Sequence, residues 1–226
     1  GVFPPELFLG QALGQLARHG KGICLRMVGG AAPDLLKLLR KREIDLLVAD
    51  PYWLEKTSDV SVIEVSSHQA HLIVRADHPL LERSRVILEE ATRYPLVTSS
   101  AVPPRIARFA TRGQSGQAIM QAAMGRWVPT IYTDSIAMMK DTVRTSDAVT
   151  MLSLYLARHE LDRGEFKVLP VSLPWIKARF AFMHLSHRTL SPLAEALIQA
   201  ATAAASAVQE EEKLLSDRWV DTRARR

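Results

Sequence analysis

Short apolar runs alternate with helical segments along the first fifty residues, and glycine or proline marks most of the changeovers. Pro4 and Pro5 precede E-L-F-L-G-Q-A-L-G-Q-L-A-R-H-G, whose Leu9, Leu13, Leu16 and Ala17 recur at helical spacing; Gly20 stands where such a helix stops. I-C-L-R-M-V then reads as a short strand closed by Gly29-Gly30. Pro33-Asp34 opens a second helix, D-L-L-K-L-L-R-K-R, with Leu35, Leu38 and Leu39 on one face, and I-D-L-L-V-A-D is a second apolar strand. Strands separated by helices of this length favour parallel pairing through right-handed crossovers.

The plan repeats downstream. H-L-I-V-R-A predicts a strand, Asp77-His78-Pro79-Leu80 a turn, and E-E-A-T-R-Y a short helix that must stop before Pro95. P-L-V-T-S-S runs from strand into loop, followed by helices over R-I-A-R-F-A-T-R and around Gln117 to Met124. P-T-I-Y-T predicts a strand, D-S-I-A-M-M-K-D-T-V-R-T a helix and A-V-T-M-L-S-L a strand; F-K-V-L-P-V and K-A-R-F-A-F-M-H-L are late strands. Ser191-Pro192 starts a last long helix, with Ser as cap and Pro in the first turn. The expected fold class is α/β with two lobes of similar βα construction.

A chain of 226 residues has room for two such lobes. No apolar run reaches the ~18 residues of a membrane span. The formal charge of +5 is not concentrated: Arg218, Arg223, Arg225 and Arg226 are interleaved with Glu210, Glu211, Glu212, Asp217 and Asp221. That pattern lacks the basic stripe of a nucleic-acid reader. Cys24 is the only cysteine, so no disulfide forms within the chain, and its apolar neighbours predict a buried thiol.

The order of these signals resembles the effector-binding half of LysR-type transcriptional regulators. L-L-K-L-L-R-K-R-E-I-D-L-L-V, with Asp45, is similar to that family's leucine-rich helix, turn and strand. H-L-I-V-R-A-D-H-P-L resembles its strand followed by D-H-P-L, the most specific of the motifs. Y-P-L-V-T-S-S, V-P-T-I-Y-T-D-S-I-A-M-M-K-D-T-V and L-S-H-R-T-L-S-P-L-A-E-A-L carry the resemblance to about residue 205. Two segments depart from the pattern: R-T-S-D-A-V-T-M-L-S-L replaces a glycine-containing turn, and G-V-F-P-P offers apolar groups where relatives supply a hydroxyl.

The resemblance implies a two-lobed, type 2 periplasmic-binding-protein-like fold, each lobe a mostly parallel sheet flanked by helices. Residues 1–75 with 178–226 would form lobe I and 76–177 lobe II, with crossings near 74–77 and 173–178. It further implies a homodimer or homotetramer, a small-molecule effector in the interlobe cleft, and cytoplasmic location. DNA would be read only through an N-terminal winged helix-turn-helix domain that this chain lacks.

Ligands gather at the carboxyl ends of parallel strands, where helix N-termini present free N–H groups. That rule selects Thr98, Ser99 and Ser100; Gly29 and Gly30; Thr133, Asp134 and Ser135; and Phe3 in the opening segment. Each has a plainer reading, as helix cap or turn. An acidic cap at Asp134 would disfavour an anion nearby. G-Q-S-G at residues 113–116 misses the G-x-S-x-G nucleophile pattern, so no catalytic residue is assigned. His68/His71 and His184/His187 read H-x-x-H on or near strands, where positions three apart face opposite ways; no metal site is expected, and surface or strand-edge histidines are the default. Tyr52, Trp53 and Trp175 lie near the crossings and could stack on a ligand or pack a core. The E-E-E-K run reads as a solvated helix end. The leading function is an effector sensor without cofactor; the alternative is a transport system's solute-binding receptor on the same fold.

Overall fold

The computed structural model describes residues 5–19, 23–51, 58–99, 120–121, 126–127 and 130–220. Phe3, Ser100, Tyr52, Trp53 and the helix expected over R-I-A-R-F-A-T-R lie outside them. The chain divides into two compact units, with boundaries at His68/Gln69, Ile176/Lys177 and Lys213/Leu214.

In the first unit, a π-helical turn (Pro5–Leu9) leads into α1 (Gly10–His19), and Leu7, Phe8, Leu9 and Ala12 are buried there. α2 (Ala32–Arg40) opens with Pro33 and Asp34 in its first turn and closes at a left-handed Arg42, φ 62°. Its buried face is Leu35, Leu36 and Leu39, with Leu38 half-buried beside it. The face packs on a three-stranded sheet of order β1 (Leu47–Ala49), β10 (Lys177–Leu185), β2 (Val60–Gln69). β1 and β10 pair antiparallel, Leu47 opposite Met183 and Ala49 opposite Ala181, so parallel pairing does not hold here. β10 follows a long excursion through the other unit and enters its sheet from the opposite end. β2, whose Ser-rich alternation was passed over in the sequence, is a full strand.

The strand expected over I-C-L-R-M-V is absent. Residues 23–30 have no regular structure and are exposed, Met27 to 51% and Ile23 to 37%. Cys24 is exposed with them, correcting the buried thiol. Apolar character sets a preference for burial, but a strand also needs a neighbour for its N–H and C=O groups.

The second unit is built on a five-stranded sheet of order β7 (Ile131–Tyr132), β4 (Leu96–Thr98), β8 (Val149–Leu152), β3 (His71–Arg75), β9 (Phe166–Val168). β4 is parallel to β7 and β8, whereas β3 is antiparallel to β8 and β9. Four strands therefore share one direction, as expected, and β3 alone opposes them. Residues 69–75, expected in the first lobe, pack with the second unit because β3 is paired on both sides there. α3 (Leu88–Ala91), α4 (Ile136–Thr145) and α5 (Leu154–Asp162) accompany the sheet. The short β5 (Met120–Gln121) and β6 (Arg126–Trp127) pair antiparallel where a helix was expected around Gln117 to Met124. The last helix, α6, runs from Pro192 to Trp219, and Ser191 Oγ accepts the Ala194 N–H at 3.2 Å as its cap.

D-H-P-L acquires a physical meaning in this unit. His78 is fully buried, and its Nδ1 accepts the Leu80 N–H at 3.1 Å. That bond fixes the tautomer with the proton on Nε2, which donates to the Asp147 carbonyl at 3.1 Å. The ring lies 4.6 Å from Tyr94, and Leu80, held by this turn, enters the core with Leu72, Val74, Leu88, Leu96 and Val149. Burial pushes the imidazole pKa down, the Asp147 carbonyl opposing it only in part. Arg75 brackets the turn, ion-paired to Asp77 and, at 2.7 Å, to Asp147; these partners raise its pKa, and Arg75 lowers that of Asp77.

Candidate functional site

Three parallel strands of the second unit end in hydroxyl residues along one edge. Thr98 closes β4 and Ser99 follows it; Thr133 follows β7; Ser153 follows β8. The pairings Val97 with Ile131 and Thr98 with Tyr132 bring the β4 and β7 ends side by side, and the Thr133 N–H donates to the Thr98 carbonyl at 3.2 Å. Thr98, Ser99, Thr133 and Ser153 are all buried.

Two helices begin at this edge. Ser135 caps α4, its Oγ accepting the Met138 N–H at 3.2 Å. Thr133 Oγ1 accepts the Ser135 N–H at 3.1 Å and donates to Met138 Sδ at 3.4 Å, so the turn is braced twice. Ser153 caps α5 in the same manner, accepting from Leu156 at 3.4 Å. Neither helix carries an acidic residue in its first turn. Asp134 is exposed and the cap is Ser135, so of the two readings open for Asp134 the cap does not hold.

Ser99 differs from its neighbours. It is 6% exposed, and its Oγ has no hydrogen-bond partner among the described residues. Burying a hydroxyl without a partner costs stability, and Thr150 Oγ1 on β8 is in the same condition. Chain enters and leaves along the same edge: His71, the first residue of β3, is opposite Leu152, and Gln69 Nε2 donates to the carbonyls of Leu173 at 2.7 Å and Ile176 at 2.9 Å.

The structure thus brings together Thr98, Ser99, Thr133, Asp134 and Ser135. Gly29 and Gly30 belong to the first unit and are exposed; a Cβ at Gly29 would meet nothing within 4 Å, so glycine is not sterically demanded. Ser153 was missed in the sequence. Its signal is the one that found Ser99, a hydroxyl leaving an apolar strand, but the helix after it went unread. Trp175 is 37% exposed.

Two other features are not built for an effector. A cavity of about 120 Å³ in the first unit, lined by Leu39, Ile44, Asp45, His184, Arg188 and Ala194, is far below the ~300–1,000 Å³ of small-molecule sites. No group of three or more His, Cys, Asp or Glu side chains among the described residues could hold a metal ion. His68 is on an edge strand but is not a surface histidine: it is buried, with Nδ1 2.8 Å from Glu212 Oε2 and Nε2 2.8 Å from Ser66 Oγ. Glu212 therefore leaves the solvated run in which the sequence had placed it.

Comparison with known proteins returns a consistent set. The family described as the LysR substrate binding domain matches residues 3–206. The SDS degradation transcriptional activation protein of a Pseudomonas species is 27% identical over 201 residues, 87% of this chain and 62% of that protein. The HTH-type transcriptional regulator PcaQ of Agrobacterium fabrum is 27% identical over 154 residues, 66% of this chain and 46% of its own length. The chain thus spans about half to three-fifths of the curated relatives it matches. Among solved structures, the regulatory domain of MetR, a LysR family regulator from N. meningitidis, superposes with TM-score 0.68 at 15% identity, covering 92% of this chain and 91% of that one. Full-length LysG from Corynebacterium glutamicum gives 0.63 at 16%, covering 89% and 64%. At such identities the superpositions speak for the fold, the type 2 periplasmic-binding-protein-like one.

Proposed function

This chain belongs to the LysR substrate binding domain family, and from that premise we propose that it senses a small-molecule effector for a transcriptional regulator. The family is one of regulators and not of enzymes. The effector would be held in the second unit by Thr98, Ser99, Ser100, Thr133, Asp134 and Ser135. The buried Ser99 Oγ, without a hydrogen-bond partner among the described residues and at the end of a strand parallel to the two strands that lead into α4 and α5, is the observation that carries this reading.

Binding would act by differential affinity for two states of the regulator, since a ligand with equal affinity for both shifts nothing. DNA would be read by a winged helix-turn-helix domain elsewhere on the polypeptide, the whole working as a homodimer or homotetramer in the cytoplasm. The effector is the one small molecule this reading calls for; no cofactor enters it. No helix among the described residues is long and apolar enough to cross a membrane. The relatives and solved structures named above are regulators, which leaves the transport-receptor reading without support.

The test is to titrate candidate metabolites while following the thermal midpoint, first on this chain and then on the double variant Ser99→Ala, Ser100→Ala. A metabolite that stabilises the parent and loses most of its effect on the double variant supports the site. Equal affinity for both proteins removes these serines from it.

A further inference from the structure

The family match ends at residue 206, but α6 continues without a break to Trp219. Its additional turns are not a solvated tail. Gln209 Nε2 donates to the Ser67 carbonyl at 3.1 Å, and Glu212 Oε2 lies 2.8 Å from His68 Nδ1. Six residues further, within the second unit, Arg218 pairs with Asp162 at 2.9 Å.

Ser67 and His68 are the last residues of the first unit before the chain passes into the second. We propose that residues 207–219 form a C-terminal latch, which grips this linking strand through Gln209 and Glu212 and so sets how freely the link can move. On the other side of the boundary, Gln69 binds the carbonyls of Leu173 and Ile176, and the Ala70 N–H donates to Ile176 at 3.0 Å. The segment 67–70 is therefore hydrogen-bonded on both sides of the unit boundary.

The chemistry of the grip favours position over bulk stability. His68 is 1% exposed and 5.8 Å from the Phe180 ring, while Glu212 Oε1 is buried with no hydrogen-bond partner among the described residues. An apolar pair would anchor a helix at lower cost than a half-satisfied buried carboxylate; the polar pair specifies one register. Ser66 Oγ, able to donate or accept, completes the contact 2.8 Å from Nε2. Ser66, His68 and Glu212 have the order of a Ser–His–acid relay, but Ser66 sits within β2 and not on the sharp strand-to-helix turn that exposes a nucleophile.

Amide hydrogen exchange on the full 226-residue chain reads the latch directly. Glu212→Ala should accelerate exchange at residues 66–70 by ~10-fold or more, since the bond lost is to a charged group, with α2 and β1 unchanged. Glu212→Gln, which can still accept from His68, should restore most of the protection, and Glu210→Ala, which removes only an exposed pair with Lys213, should leave exchange at residues 66–70 unchanged. Acceleration spread evenly over the first unit would show that Glu212 merely stabilises the fold, and unchanged exchange at 66–70 would overturn the latch altogether. Were Glu212→Ala not to fold, Gln209→Ala removes only the bond to Ser67 and should give the same local pattern at ~3-fold.

Discussion

Removing the Ser99 hydroxyl should stabilise the ligand-free protein, the reverse of what most buried substitutions do. Ser99 is 6% exposed and its Oγ has no partner among the described residues. Leaving a buried hydroxyl unpaired costs about 1–3 kcal/mol, and Ser99→Ala deletes that oxygen and little else. Allowing for the small space left behind, the expected gain is about 1 kcal/mol, or about 2–4 °C in Tm for a chain of this length. Differential scanning calorimetry of the two proteins at neutral pH measures it. Thr150→Val is the matched control: Thr150 is fully buried on β8, its Oγ1 is also unpartnered among the described residues, and valine keeps its shape. Both variants should be stabilised without ligand, but only Ser99→Ala should lose effector affinity, by ~10-fold if one neutral hydrogen bond of about 1.4 kcal/mol is involved. If ligand-free Ser99→Ala instead melts 2 °C or more below the parent on the scale used above, the hydroxyl already has a structural partner and the reasoning fails.

Other substitutions probe the frame around the site. His78 is held neutral by burial, and its folded pKa lies below the ordinary value of about 6.5. Its contribution is therefore intact above that value and is lost as pH falls from there through the folded pKa; urea midpoints against pH should show this acid limb, flattened in His78→Gln. Asp59, whose pKa Arg40 lowers through paired bonds of 2.8 and 2.9 Å, acts in a more acidic window, its stabilisation lost as pH falls below the ordinary carboxylate value; Asp59→Asn should remove that dependence. Leu39→Ala, at a side chain 1% exposed between α2 and its sheet, should cost about 2–5 kcal/mol in chemical denaturation. Gly164→Ala should cost about 1–2 kcal/mol through backbone strain alone, because φ is +73° and an added Cβ would touch nothing within 4 Å.

Much of the second unit was legible because its signals are local. Pro95 bars a helix from continuing, L-V-T carries two apolar and two β-branched residues, and a hydroxyl at a strand end is both cap and candidate contact; periodicity and capping act over a few residues. The readings that failed depend on a neighbour the sequence does not name. I-C-L-R-M-V has the composition of a strand but no strand beside it. α5 was hidden because L-Y-L-A-R-H-E-L-D follows a strand directly, and Leu154, Tyr155, Leu156 and Ala157 are buried all round, erasing the amphipathic stripe. His68 and Glu212 are separated by 144 residues, and nothing in H-x-x-H or E-E-E-K points from one to the other.

The sequence by itself determined the α/β class, the order of its motifs and the hydroxyl-bearing strand ends, since these follow from side-chain period and backbone restriction. Only in three dimensions is it settled that β3 runs against its sheet, that Ser99 Oγ has no partner among the described residues, and that Glu212 leaves solvent to hold His68. Those outcomes depend on which strand edge or buried group lies alongside another, and sheet register and long-range pairing carry no local signature in the chain.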